Sequence, residues 1–151
     1  MTKILKTSRS VNYSFAARRH MTDAEHLLKL DRQANAGQLF GFAAECGLKA
    51  LLIASGAVKQ DDKGEIPRGN GFRAHIPNLC NLIAPNGQLL PDGSCQYFSG
   101  LAHLTELQDW SIDQRYWTDD ALPARSVEKW KRAAQEVLEM ADSAMENGHL
   151  L

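Results

Sequence analysis

The chain has 151 residues, 44% of them hydrophobic and 23% charged, with a formal net charge of −1. That length suits one domain with a core that needs no disulfide or metal staple, and the balanced charge excludes a global electrostatic pull toward nucleic acid. Cys46, Cys80 and Cys95 are odd in number and show no Cys-x-x-Cys spacing, which argues against a disulfide framework and a zinc site and suits a reducing cytoplasm. Ile4-Leu5 is too short for the apolar stretch of a secretory leader.

Residues 1–12 read as a basic tail ahead of a single domain over 13–151. Residues 1–22 hold Lys3, Lys6, Arg9, Arg18 and Arg19 and no acidic group, the composition of a solvated terminus or of an arm that touches phosphates. A first helix is predicted from Phe15 to Ala34, with Ala17, Met21, Ala24 and Leu28 on one face and Leu27 beside them. Thr22-x-x-Glu25 has a capping-box pattern that offers a later start at Asp23; the earlier start is preferred. Asn35-Ala36-Gly37 is the predicted connection, short enough to make the next helix an antiparallel neighbour.

Gly37–Gly56 is the predicted central helix, of about five turns. Its polar side chains, Gln38, Glu45 and Lys49, fall on one narrow stripe and the rest of the circumference is apolar or small, as in a buried helix. Two charges near its middle, with no second such stretch, argue against a membrane span. Gly41 and Gly47 each cost roughly 1 kcal/mol against alanine inside a helix, so their presence implies a close approach by another helix or a ligand.

Lys59–Gly71 is charged, glycine-rich and contains Pro67, and is predicted to be a loop. A short helix is predicted over His75–Ile83, with Ile76, Leu79, Cys80 and Ile83 on one face and Pro77 in its first turn. Pro85-Asn86-Gly87 and Pro91-Asp92-Gly93 are turn signals around a brief excursion at Gln88-Leu89-Leu90. A helix is predicted from Gln96 to Trp110, followed by the aromatic run Trp110–Trp117. The last helix, Pro123 to Glu146, carries Val127, Trp130, Ala134, Val137, Ala141 and Ala144 in one stripe before Asn147-Gly148. No segment alternates with a two-residue period and no repeat is present. The expected fold is all-α, a four- or five-helix up-and-down bundle around the central apolar helix.

Three features together resemble the HEPN superfamily of small helical domains: the string Phe42-Ala43-Ala44-Glu45-Cys46-Gly47-Leu48-Lys49-Ala50-Leu51-Leu52; a His after the mid-chain loop, opening a short helix that runs into Asn78-Leu79; and Arg115-Tyr116 near the end of a helix before the final long one. The likeness covers about residues 13–146. It implies a helical bundle that forms two-fold homodimers and is often encoded beside nucleotidyltransferases in bacterial toxin–antitoxin or defence systems. Catalytic members are metal-independent endoribonucleases with an Arg-x(4–6)-His motif at the dimer interface, where the His works on the ribose 2′-hydroxyl proton and the Arg steadies the phosphate. Other members lack the pair and act as binding or partner modules.

Arg68 and His75, with six residues between them, meet that spacing and are the candidate catalytic pair. Pro67, Gly69 and Gly71 place the Arg in a loop, whereas the resemblance implies a helix that would hold both groups rigidly, as catalysis requires. Arg115 has the expected helical context but no His within the next seven residues, and Arg18 and Arg19 meet His26 near the wrong end of the bundle. His75 suits proton transfer at neutral pH; its alternative role is capping or packing before Pro77. Arg73 is a candidate phosphate ligand beside it. Glu45 and Lys49, in the favourable i,i+4 order, are candidates for a polar ligand or for a partly buried ion pair at a helix seam or dimer contact. Arg115, Tyr116 and Trp117, with Trp110, suit base stacking and phosphate binding or interhelix packing. His20, His26, His103 and His149 give no metal-ligand spacing, and no cofactor fingerprint is present. Three functions are therefore open: a module that binds RNA, a nucleotide or a nucleotidyltransferase partner; a metal-independent endoribonuclease; or a purely protein-binding helical module. None involves a membrane, a cofactor or a metal.

Overall fold

Polar side chains set where the first helix begins and ends. In the computed structural model, which describes residues 10–83 and 90–147, Asn12 accepts the Phe15 N–H through its side chain at 2.9 Å and caps helix α1, Tyr13–Lys29. The helix therefore runs unbroken through Thr22, and the capping-box pattern there is not used. It stops at Lys29 rather than Ala34. Leu30 is exposed, and Asp31 takes a left-handed conformation at φ 60°, which a short polar side chain tolerates. Helix α2, Gln33–Ala54, starts four residues earlier than predicted. Ala36 and Gly37 are buried against the fold and are needed inside the helix, so the turn falls at 30–32 and not at 35–37.

Helix α2 is the axis of the molecule. At 22 residues it spans roughly 33 Å, and α1 and the last helix pack along it while touching each other only slightly. It is the one described helix long and apolar enough to cross a bilayer, and 78% of its most apolar window is buried inside the protein. Its apolar surface is taken up by neighbouring helices.

After α2 the chain turns at Gly56 (φ 85°) and forms a 3-10 turn at Gly71–Arg73. It continues through helix α3 (Asn78–Ile83) and helix α4 (Asp92–Ser99) into further 3-10 turns at Leu104–Leu107, Ile112–Tyr116, Asp119–Ala121 and Ala124–Ser126. Helix α5, Val127–Glu146, ends the fold. No strand occurs among the described residues, and the fold is all-α. Several predicted elements are shorter than their patterns. The short helix begins at Asn78, leaving His75 in the loop. Pro91-Asp92-Gly93 opens α4, with Pro91 at its N-cap position, instead of forming a turn; Pro85-Asn86-Gly87 and Gln88-Leu89 lie outside the described residues. The helix expected over Gln96–Trp110 divides at Gly100, and Glu136 of α5 accepts the N–H of His103 at 3.0 Å just before the Leu104–Leu107 turn. Arg115-Tyr116 closes a 3-10 turn, and the last helix begins at Val127, after the Ala124–Ser126 turn.

Glycines set how closely the elements approach α2. A Cβ on Gly37 would lie 2.8 Å from the Trp130 ring, one on Gly47 would lie 2.7 Å from Val137, and one on Gly41 would fall 1.9 Å from the Trp110 ring. The pairing of 37 with 130 and of 47 with 137 means that α5 runs parallel to α2. Arg18 pairs with Asp142 and the Ser14 hydroxyl contacts the Met145 sulfur, so α1 is antiparallel to α5. The return between α2 and α5 is made by the short elements, from Ser94 bonded to the Ser55 carbonyl to Trp110, whose indole N–H donates to the Gly37 carbonyl at 3.0 Å.

Gly41→Ala should destabilise the protein by about 1–3 kcal/mol or more, because the indole it meets is buried and hydrogen-bonded and cannot retreat. Gly71→Ala, with open space at that position, should stay within about 0.5 kcal/mol; urea denaturation of both variants checks the contrast. Burial alone would push the Glu136 carboxyl up, but the N–H groups of His103 and Ala102 and the His103 imidazole outweigh it and hold it below the ordinary carboxylate value. A carboxyl held low stabilises the fold above its unfolded pKa and loses that contribution as pH falls through the folded one. Glu136→Gln should therefore be less stable than the wild type at pH 7, with the gap closing as pH falls below the ordinary carboxylate range in pH-dependent urea melts.

Candidate functional site

Glu45 and Lys49 lie one turn apart on α2 with only 7% and 6% of their surface exposed. A charge this deep must be paired and hydrogen-bonded. The Lys49 ammonium meets the Glu45 carboxylate at 3.2 Å, donates to the Arg73 carbonyl at 3.4 Å and lies 5.8 Å from the centre of the Tyr13 ring. The Glu45 carboxylate has two further partners from the loop. The Ile76 N–H donates to Oε1 at 3.1 Å, and His75 Nδ1 lies 3.0 Å from Oε2 and 3.2 Å from Oε1. The His75 side chain is 59% exposed although the carboxylate beneath it is buried. One end of the imidazole is anchored and the other faces outward.

The loop that delivers His75 is tied at several points. Asp61 accepts the N–H groups of Lys63 and Glu65, each at 2.9 Å. Ile66 is fully buried, and its N–H donates to the Tyr13 hydroxyl at 3.1 Å. Asn70 caps the Gly71–Arg73 turn. The Arg73 guanidinium pairs with Glu65 at 2.9 Å and donates to the Ile66 carbonyl at 3.2 Å, so it braces the loop from within. Burial raises the Tyr13 hydroxyl above its usual pKa. Burial, followed by the nearby Glu45 charge, pushes the Cys46 thiol up to about 11 and the Cys80 thiol to about 12, which leaves both as poor nucleophiles.

The structure thus brings together Glu45, Lys49, Arg73 and His75, and sets the other candidates elsewhere. Arg68 is exposed beside Gly69 (φ 88°), and no described residue hydrogen-bonds or pairs with it. Trp110 is a core residue, edge-on to Phe42 at 5.5 Å. Arg115 stacks on the exposed Tyr116 ring at 4.6 Å, beside the exposed Trp117. This group lies at the other end of the stripe, where Gln38 donates to the Ile112 carbonyl, and Gln38 is roughly 10 Å along α2 from Glu45. Two polar places therefore sit on one helix.

Tyr13 was not among the sequence-derived site residues, although it stands four residues before Ala17 on the same helical face; extending that stripe backward would have found it. Glu65 has no such signal, because loop spacing carries no periodicity. A cleft of about 720 Å³ opens beside Tyr13, lined by Phe15, Ala50, Ile53, Val58 and Met145. A second, of about 620 Å³, lies between Arg32, Gln33, Gln114, Pro123 and Trp130. Among the described residues no cluster of His, Cys, Asp and Glu could hold a metal ion. No family model, curated protein or solved structure matches the chain.

Glu45→Ala leaves a buried ammonium without its partner and should cost about 3–5 kcal/mol. Glu45→Met combined with Lys49→Met should cost clearly less than the single change, as chemical denaturation would measure. Cys80, only 2% exposed, should resist thiol alkylation at pH 8 until denaturant is added; rapid labelling of the native protein would contradict its place in the core.

Proposed function

We propose that this chain is a HEPN-like helical module that binds RNA or a nucleotide, working as a homodimer with a nucleotidyltransferase-type partner in a cytoplasmic toxin–antitoxin or defence system. The observation that carries this reading is the His75 imidazole, held on the buried Glu45–Lys49 pair and open to the outside, at the end of a loop that also carries the exposed Arg68. An aromatic pair with a stacked guanidinium, Tyr116, Trp117 and Arg115, supplies a second surface of the kind that stacks bases and meets phosphates. The sequence resemblance supplies the family and the partner class.

The anchoring of His75 favours one alternative, a metal-independent endoribonuclease. An imidazole oriented through one nitrogen is equipped to move a proton with the other, and Arg68 would reach the phosphate across a two-fold interface. Arg68 supports the binding reading first, since no described residue pairs with it to give the precision that catalysis needs.

Fluorescence anisotropy with labelled single-stranded RNA tests the proposal. Binding should weaken by about tenfold in His75→Ala, the effect of losing ~1.4 kcal/mol, and Arg68→Ala should reduce both affinity and its salt dependence. The RNA should stay intact in the presence of a chelator. Cleavage to 2′,3′-cyclic phosphate ends that His75→Ala abolishes would establish the alternative, and equal binding by wild type and both variants would sink the RNA reading.

A further inference from the structure

We infer that Glu45 is a positioning residue that sets the ring tautomer of His75, with Lys49 and Tyr13 as its support. The inference deepens the reading of His75 as the working group of the site and rests on that reading for its functional meaning. Its geometry stands independently.

A neutral imidazole has one N–H donor and one acceptor nitrogen, and the group facing each nitrogen decides which is which. A carboxylate only accepts. Nδ1 lies within hydrogen-bond distance of both Glu45 oxygens, so Nδ1 carries the hydrogen and Nε2 is left with its lone pair. The carboxylate cannot swing away to release the ring, because the Ile76 N–H holds Oε1 and the Lys49 ammonium holds Oε2. Lys49 is fixed in turn by the Arg73 carbonyl and the face of the Tyr13 ring. The support runs from α1 through α2 to the loop, and ends on a side chain that is 59% exposed.

Lys49 supplies the counter-charge and the Ile76 N–H a buried donor, and neither needs a side chain at the surface. Recruiting a surface imidazole as a third donor adds little to burial, since most of that ring stays in water. What it does is present a lone pair at a fixed place and angle. The neutral ring then accepts from a hydroxyl or N–H of whatever binds there.

Ring-15N-labelled full-length protein, studied by long-range proton–nitrogen correlation near pH 8, reads the tautomer directly. The wild type should show His75 as the Nδ1–H form. Glu45→Gln keeps the shape of the side chain and an acceptor for the Ile76 N–H, but removes the charge that holds Nδ1–H. The Nδ1–H to Nε2–H ratio should fall by about tenfold, as expected for loss of a charged hydrogen bond. Because Glu45→Gln leaves Lys49 without its counter-charge, Glu45→Gln with Lys49→Met is the second variant and should give the same change. His103, held through Nδ1 by Glu136 at 3.0 Å, is the internal control and should keep its tautomer in every sample. A wild-type His75 in the Nε2–H form, or a ratio unchanged in both variants, would overturn the inference. If the ratio falls while RNA affinity matches the wild type, positioning stands and the RNA reading fails. If both fall, both stand.

Discussion

A carboxylate buried in the middle of an apolar helix is the constraint around which the polar half of this molecule is arranged. Only 7% of Glu45 is exposed at its position on α2, and an unpaired buried charge costs several kcal/mol. One lysine a turn away supplies a counter-charge but not enough donors. The remainder comes from the loop between α2 and α3, which folds back so that the Ile76 N–H and the His75 ring reach the same two oxygens. The loop can lie there only because Ile66 fills a place in the core, Tyr13 takes its N–H, and Arg73 braces it on Glu65. Satisfying one buried group thereby brings residues from α1, α2 and the loop to a single point at the surface.

The apolar half obeys a steric constraint. Two tryptophans and a valine approach α2 where it has no side chain, at Gly41, Gly37 and Gly47. The glycines lower helix propensity by roughly 1 kcal/mol each, and the large rings seated on them bury enough apolar surface to offset it. Each indole N–H also finds an acceptor, Trp110 on the Gly37 carbonyl and Trp130 on Asp109 at 2.8 Å. This explains how a helix with the composition of a membrane span has its surface occupied by protein.

The two polar places on α2 differ in kind. At Glu45 the charges are deep, mutually satisfied and rigid, with a single imidazole brought to the surface. Near Gln38 the groups are outside, with Arg115 and two rings exposed and only short 3-10 turns behind them. A site of the first kind supplies a fixed contact; one of the second supplies area.

The helical class, the central position of Gly37–Gly56 and the partly buried Glu45–Lys49 seam were legible in the residues, because a period of 3.6 and a lack of exposed polar surface are local properties of the sequence. The close approaches at Gly41 and Gly47 were legible too, as glycines that a helix would otherwise avoid. Element ends were less so. Ala36 and Gly37 belong to the helix because of what packs on them, and where the Gln96–Trp110 pattern divides, Glu136, 33 residues beyond His103, takes the backbone N–H groups. Which partners Glu45 would find, that Arg73 would turn inward and Arg68 outward, and that Trp110 would enter the core while Trp117 stayed outside were decided by tertiary structure alone. Those outcomes depend on contacts between residues far apart in sequence, and loops and 3-10 turns carry no period from which to read them.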